Sequence, residues 1–420
     1  MKPWFFIFFL LPLLGFAYVV WHVWQILPLP PAWKYAAVTV MSLPVLCLFS
    51  HFLIGPDQLP LAAGRVVYEV GTSSLFVLLY LVMIFILLDV GRLLRLVPQS
   101  LLHHSVAGSA GILVFVCVLS IYANINYRDK QMRTMELRAA QPLSSPLRIV
   151  MLSDMHIGYH NNAKELERWV EMINASSPDV VLIAGDIIDG SMKPLREENM
   201  AAVFRRIKAP VYACPGNHEY YAGIAGAKEF FREAGVTLLC DSSVVIGGEL
   251  TVIGRDDRSQ AGRKSVARLV AESPKTKYTI LLDHQPYHLD RSARAGVDFQ
   301  LSGHTHYGQV WPINWIEDAL YENAYGAMRK GKTDFYVSSG MGIWGGKRNV
   351  YVVLCISDEW LRINLDCNHA SYVSRIDVRQ TVFFFYRRQC GLHREKPDDK
   401  MAQTVRRVDK MQIIMRKRWL

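Results

Sequence analysis

The residues best able to do chemistry fall in five short clusters, each directly after a short apolar run. Ser153-Asp154-Met155-His156 follows LRIVML, Gly185-Asp186-Ile187-Ile188-Asp189 follows VVLIA, and Pro215-Gly216-Asn217-His218-Glu219 follows VYAC. Asp283-His284 and Gly303-His304-Thr305-His306 complete the set. Carboxylates, imidazoles and amide oxygens are ligands for divalent metals. Taken singly, the clusters have ordinary readings: D-x-H arises by chance, an Asp after a strand caps a helix, and GNH or GHTH makes a turn. Five in succession, each at the end of an apolar run, read together as a metal site.

The runs that carry them must be strands. Leu147–Leu152, Val180–Ala184, Val211–Ala213, Thr251–Gly254, Thr279–Leu282, Phe299–Ser302, Phe335–Ser338 and Tyr351–Ile356 have strand length and composition. Between the first two, Leu166, Trp169, Val170 and Ile173 recur at helical spacing, with Asn161 or Asn162 able to cap the start. A second helix fits Ala225–Ala234, stopped by Gly235. Strand and helix alternating with short turns indicate an α/β fold. In such sheets the loops at the carboxyl edge converge on one crevice, where ligands bind.

In order and spacing, the clusters resemble the calcineurin-like metallophosphoesterases, whose pattern is D-x-H, G-D-x-x-D, G-N-H-[ED], H and G-H-x-H. The resemblance is to the bacterial membrane-associated branch and covers about residues 147–356. It implies a four-layer αββα sandwich with two divalent ions, Mn, Fe or Zn, at the loop ends. Carried over by position, Asp154, His156 and His306 would bind one ion, Asn217, His284 and His304 the other, and Asp186 would bridge them. His218 would act as acid or charge stabiliser over the phosphate, with Asp189 orienting it. An oxygen and imidazole donor set without thiolate suits those metals. Two ions about 3.5–4 Å apart can lower the pKa of a shared water and neutralise phosphoryl oxygens. Arg255-Asp256-Asp257 reads equally as a substrate loop or as loop capping. Tyr220, Tyr221 and Trp311 read as pocket wall or aromatic core, and His160 and His288 receive no role.

Of the 420 residues, 51% are apolar and 20% charged, with a mean hydropathy of +0.13. That is low in charge for a soluble chain and excludes a disordered polymer or a disulfide miniprotein. The apolar excess lies at the N-terminus, where 1–27, 34–54, 67–88 and 105–122 are near the roughly 20 residues a membrane helix needs. Trp4, Trp21, Trp24 and Trp33 fall near their ends, as interfacial aromatics do. With the N-terminus inside, Lys2, Arg65, Arg128, Lys130, Arg133 and Arg138 lie on the inner side and Lys34, Arg92 and Arg95 on the outer. That bias places both ends in the cytoplasm of an inner (plasma) membrane protein. The seven cysteines form no CxxC, which reads as reduced thiols.

The expected organisation is a membrane region of about four spans over 1–125, a linker over 126–146, a catalytic domain over 147–357 and a basic extension over 358–420. Of the net charge of +10, +8 lies in the last 46 residues. That tail reads as a membrane-surface helix, a nucleic-acid arm, or a segment without a role. The expected function is metal-dependent hydrolysis of a phosphodiester or pyrophosphate, with a lipid-linked phosphate and the bilayer as partners and nucleic acid disfavoured. A soluble nucleotide substrate and a non-catalytic scaffold are the alternatives.

Overall fold

The structure, a computed structural model, describes residues 3–345 and 359–366. Among the described residues, twelve strands form two six-stranded sheets. They are β1 (Gln131–Arg138), β2 (Leu147–Leu152), β3 (Val180–Ala184), β4 (Val211–Cys214), β5 (Val236–Leu238) and β6 (Ser242–Ile246), then β7 (Leu250–Gly254), β8 (Tyr278–Leu282), β9 (Phe299–Ser302), β10 (Gly326–Lys330), β11 (Thr333–Val337) and β12 (Glu359–Asp366). The first sheet has the order β1-β12-β2-β3-β4-β5 and the second β10-β11-β9-β8-β7-β6. β2 to β5 run parallel, as do β7, β8, β9 and β11.

Alternation along β2 explains the layering. Ile149 and Met151 join Leu182, Val252, Ile280, Leu282 and Leu301 in a core between the sheets. Val150 and Leu152 point the other way, against Trp169 and Ile173 of a flanking helix, Ala163–Ala175. On the far face of the second sheet, Ile253 and Leu281 pack on Val266 and Leu269. Helix, sheet, sheet, helix is the expected four-layer sandwich. Asn162 caps the first helix by accepting from the Glu165 amide, and Gly235, left-handed at φ 73°, ends the helix Ile224–Ala234.

Two strands extend the first sheet past the boundaries read from the sequence. β1 lies within the expected linker and β12 within the expected extension, and they pair in parallel with each other. β12 then pairs antiparallel with β2, covering what would otherwise be an open edge. Leu361, Ile363 and Leu365 alternate with Arg362, Asn364 and Asp366, so a period of two was present there in the sequence. The candidate strand Tyr351–Ile356 and the basic tail from 367 onward lie outside the described residues.

Four helices precede the sandwich: α1 (Pro3–Ile26), α2 (Pro31–Leu53), α3 (Leu61–Leu93) and α4 (Val106–Arg128). The last three are long and apolar enough to cross a membrane, and α1 is an apolar helix of 24 residues. Gly71 allows α3 to approach α2, since a Cβ there would lie 2.7 Å from the Leu48 amide nitrogen. At 33 residues α3 is roughly 50 Å long, against about 30 Å of hydrocarbon. Its first turns carry residues that pack on the sandwich: Arg65 pairs with Glu198 at 2.6 Å and donates to the Tyr159 carbonyl. Tyr127 near the end of α4 donates to Asn161 Oδ1 at 2.6 Å.

Candidate metal centre

Parallel strands end on the same side, so the polar clusters after β2, β3, β4, β8 and β9 meet at one edge of the sandwich. Three groups of side chains there bring ligand atoms within 4.8 Å of one another: Asp154 with His156 and His306, Asp186 with His284 and His304, and His156 with Asp189 and His218. Asp154, His156, Asp186, Asp189 and His284 are buried. His306 Nε2 lies 3.5 Å from Asp154 Oδ1 and 3.0 Å from His156 Nε2. His284 Nε2 lies 3.0 Å from Asp186 Oδ2, and His156 Nε2 3.9 Å from that same oxygen. Asp186 thus lies between His284 of its own group and His156 of the neighbouring one. Asn217 is buried at the start of the short helix Asn217–Tyr221, and the amide of its neighbour His218 donates to Asp186 Oδ1 at 2.9 Å. Every residue expected in the site is brought to this edge.

The backbone there is held in an unusual state. Asp154, His156, Asp186, His304 and His306 have φ of 52°, 44°, 52°, 76° and 48°, in the left-handed region that non-glycine residues avoid. The surrounding contacts enforce it. Asp154 accepts from the His304 amide at 3.0 Å, and Gly303 has no side chain because a Cβ would overlap the Asp154 carboxylate. Asn161 braces the first loop through the carbonyls of Met155 and His156.

The donor set fits divalent cations. His284 Nδ1 faces the Ala184 carbonyl at 2.7 Å, which places its proton there and leaves Nε2 as a lone pair in the cluster. Burial opposes ionisation of Asp154, Asp186 and Asp189, yet neighbouring imidazoles hold all three below the usual carboxylate range: His306 for Asp154, His284 for Asp186, and His156 and His218 for Asp189. Burial opposes charge on His156 as well, but Asp154 and Asp189 push it up to about 10. His304 and His306 are pushed down to about 4, mainly by burial. Carboxylates buried this close together require matching positive charge, from imidazolium or from metal ions.

Four residues outside the expected set, Glu219, Arg255, Asp257 and Tyr68, complete the centre. Glu219 is buried and accepts from the amides of Gly216, Asp186 and Ile188 at 2.7, 3.0 and 2.9 Å, joining the loops after β3 and β4. Its position in GNHE was the available signal. Arg255 donates to Asp283 at 2.9 Å, and Asp257 accepts from the Ser259 amide and from Gln285, so the Arg-Asp-Asp turn braces its own loop and that of His284. Tyr68, from α3, donates to Asp189 Oδ2 at 2.5 Å. Asp189 Oδ1 lies 3.5 Å from Nδ1 of both His156 and His218, and the Asp189 carbonyl also contacts His218 Nδ1. A helix long and apolar enough to cross a membrane therefore reaches the candidate metal-ligand cluster through one carboxylate.

Tyr221 stands exposed with its ring 5.1 Å from His218, and Tyr220 donates to Asp256. Trp311 packs with Trp315 and accepts at its carbonyl from Tyr80 of α3. His160 is buried 3.8 Å from Glu69 of α3.

A two-sheet sandwich with this cluster at its strand ends is a metallophosphoesterase. The profile described as calcineurin-like phosphoesterase matches residues 147–308, and the chain belongs to that family. It is 32% identical over 247 residues to an uncharacterized metallophosphoesterase of Campylobacter jejuni, covering 57% of this chain and 66% of that one. With an uncharacterized metallophosphoesterase of Aquifex aeolicus it shares 31% over 215 residues, 49% of this chain and 80% of the relative. A protein of Danio rerio described as a transmembrane protein with metallophosphoesterase domain is 28% identical over 298 residues, 63% of this chain and 67% of the relative. The chain spans 56% of the length of two further metallophosphoesterase relatives.

Proposed function

We propose that the protein is a membrane-anchored, metal-dependent phosphohydrolase that cleaves a phosphodiester or pyrophosphate bond of a lipid-linked substrate. The observation that carries this reading is the convergence of the aspartate and histidine ligand atoms within 4.8 Å in adjoining groups. In this reading Asp154, His156 and His306 hold one divalent ion, Asn217, His284 and His304 hold a second, and Asp186 serves both. Mn²⁺, Fe or Zn²⁺ suits these donors. Such ions supply Lewis-acid activation of water and neutralise phosphoryl oxygens. His218, whose pKa Asp186 and Asp189 raise against its burial, gives its proton to the departing oxygen in this reading. Asp189 holds the ring of His218 toward the cluster and keeps the cation stable. The lipid-linked substrate is favoured because membrane helices pack directly on the catalytic loops.

Turnover of bis(p-nitrophenyl) phosphate with Mn²⁺ tests the enzyme reading. Asp186→Ala removes the carboxylate that this reading assigns to both ions and should lower the rate about a thousandfold or more. Equal rates for wild type and variant would sink it. The Lys/Arg bias of the loops supports a catalytic domain in the cytoplasm and a plasma (inner) membrane location. A cysteine introduced at the exposed Glu171 should stay unlabelled by an impermeant maleimide in intact cells; labelling there reverses the orientation.

A further inference from the structure

Between the membrane helices and the metal centre lies a cavity of about 880 Å³. Its volume is toward the upper end of the range for sites that enclose small molecules. One wall comes from α1 and α3, including Leu14, Leu79 and Val82, and Tyr18 carries the one hydroxyl on that side. The opposite wall is the segment after β9, including His306, Val310 and Glu317. One end of the space is therefore bounded by helices that belong in hydrocarbon, and the other by a residue of the metal-ligand cluster. An apolar space of this kind gains nothing from holding water and binds apolar matter instead.

We infer that this cavity receives the long alkyl chain of the lipid-linked substrate and sets its phosphate beside His306. The inference rests on the phosphohydrolase reading above and adds the part of the substrate that is recognised. A chain lying between α1 and α3 remains in surroundings like those it leaves in the bilayer. Only the headgroup then has to move onto the catalytic edge. The Glu317 carboxyl suits such a place: one of its oxygens is buried without a hydrogen-bond partner, and burial pushes its pKa up to about 7. Near neutral pH, the catalytic side of the cavity can thus present a neutral hydrogen-bonding group.

The test uses the full chain in lipid nanodiscs with two p-nitrophenyl phosphodiesters that share a leaving group, a methyl ester and a dodecyl ester. Val82→Trp fills the cavity and Leu79→Ser makes its wall polar. Each should lower the dodecyl-to-methyl ratio of kcat/KM roughly tenfold against wild type, since two buried methylenes are worth about fourfold each. Partition of the dodecyl ester into the disc is the same for all three proteins and cancels in the comparison. If one variant unfolds, as judged by its melting transition, the other still decides. Equal ratios in wild type and variants would overturn the cavity as the chain site, leaving the enzyme reading intact. No turnover of either ester by wild type with Mn²⁺ or Zn²⁺ would instead overturn the phosphohydrolase reading on which the inference rests.

Discussion

Tyr68→Phe removes one oxygen atom and keeps the ring. The hydroxyl lost is the donor, 2.5 Å away, to Asp189 Oδ2. Tyr68 is only 4% exposed, so water does not replace it. The ring itself stays packed between His51 and Tyr159, at centroid separations of 5.0 and 5.8 Å, and Phe fills the same space. What changes is a buried carboxylate with an oxygen left unsatisfied, a loss of about 1–3 kcal/mol. Asp189 can recover part of that by turning toward His156 or His218, each 3.5 Å from its other oxygen. Either movement shifts an imidazole of the cluster. If the same energy is lost from the transition state, kcat falls about 5- to 150-fold. Substrate groups are not touched by Tyr68, so KM should stay within about twofold. The assay is steady-state hydrolysis of bis(p-nitrophenyl) phosphate by the full chain in nanodiscs with Mn²⁺, beside Asp189→Asn and the double variant. The double variant should be little worse than Asp189→Asn, because the tyrosine acts through that carboxylate. A wild-type kcat for Tyr68→Phe, or strictly additive losses, would refute the reasoning and leave α3 as an anchor only.

Two further outcomes follow from the geometry. Glu317 has a pKa of about 7 in the folded chain, above its ordinary value of 4.5, because burial disfavours its charge. Between those values the folded state holds a proton that the unfolded state has lost, so this residue makes stability fall as pH rises from about 4.5 to 7 and adds no slope above that. The melting temperature of Glu317→Gln minus that of wild type should therefore grow across this window and then level off; a flat difference would contradict the assignment. Gly303→Ala puts a methyl group into the Asp154 carboxylate, and the next residue in the chain, His304, is already left-handed at φ 76°. It should cost at least about 2–3 kcal/mol of stability and most of the bound Mn²⁺, read by thermal melting and by metal content after desalting. Normal metal content would mean that the loop yields more readily than its contacts indicate.

The ligand clusters were legible in the sequence because they follow a local rule. A buried parallel strand is an apolar run, and the polar residues straight after it must lie at the carboxyl edge. β2, β3, β4, β8 and β9 obey that rule, so Asp154, Asp186, His218, His284 and His306 could be placed before any contact was known. The apolar helices were equally plain, since the hydrocarbon core asks only for length and lack of charge. What stayed hidden depends on partners far away in the chain. β1 alternates only weakly in the sequence, and it is a strand because β12 offers it a ladder, as β2 in turn offers one to β12. Tyr68 is one tyrosine in an apolar helix until a fold brings it to Asp189, 121 residues on. The left-handed backbone of five site residues depends on loops pressing on one another, and the cavity exists only where helices meet sandwich. Periodicity records which side of an element is buried; it does not record what buries it.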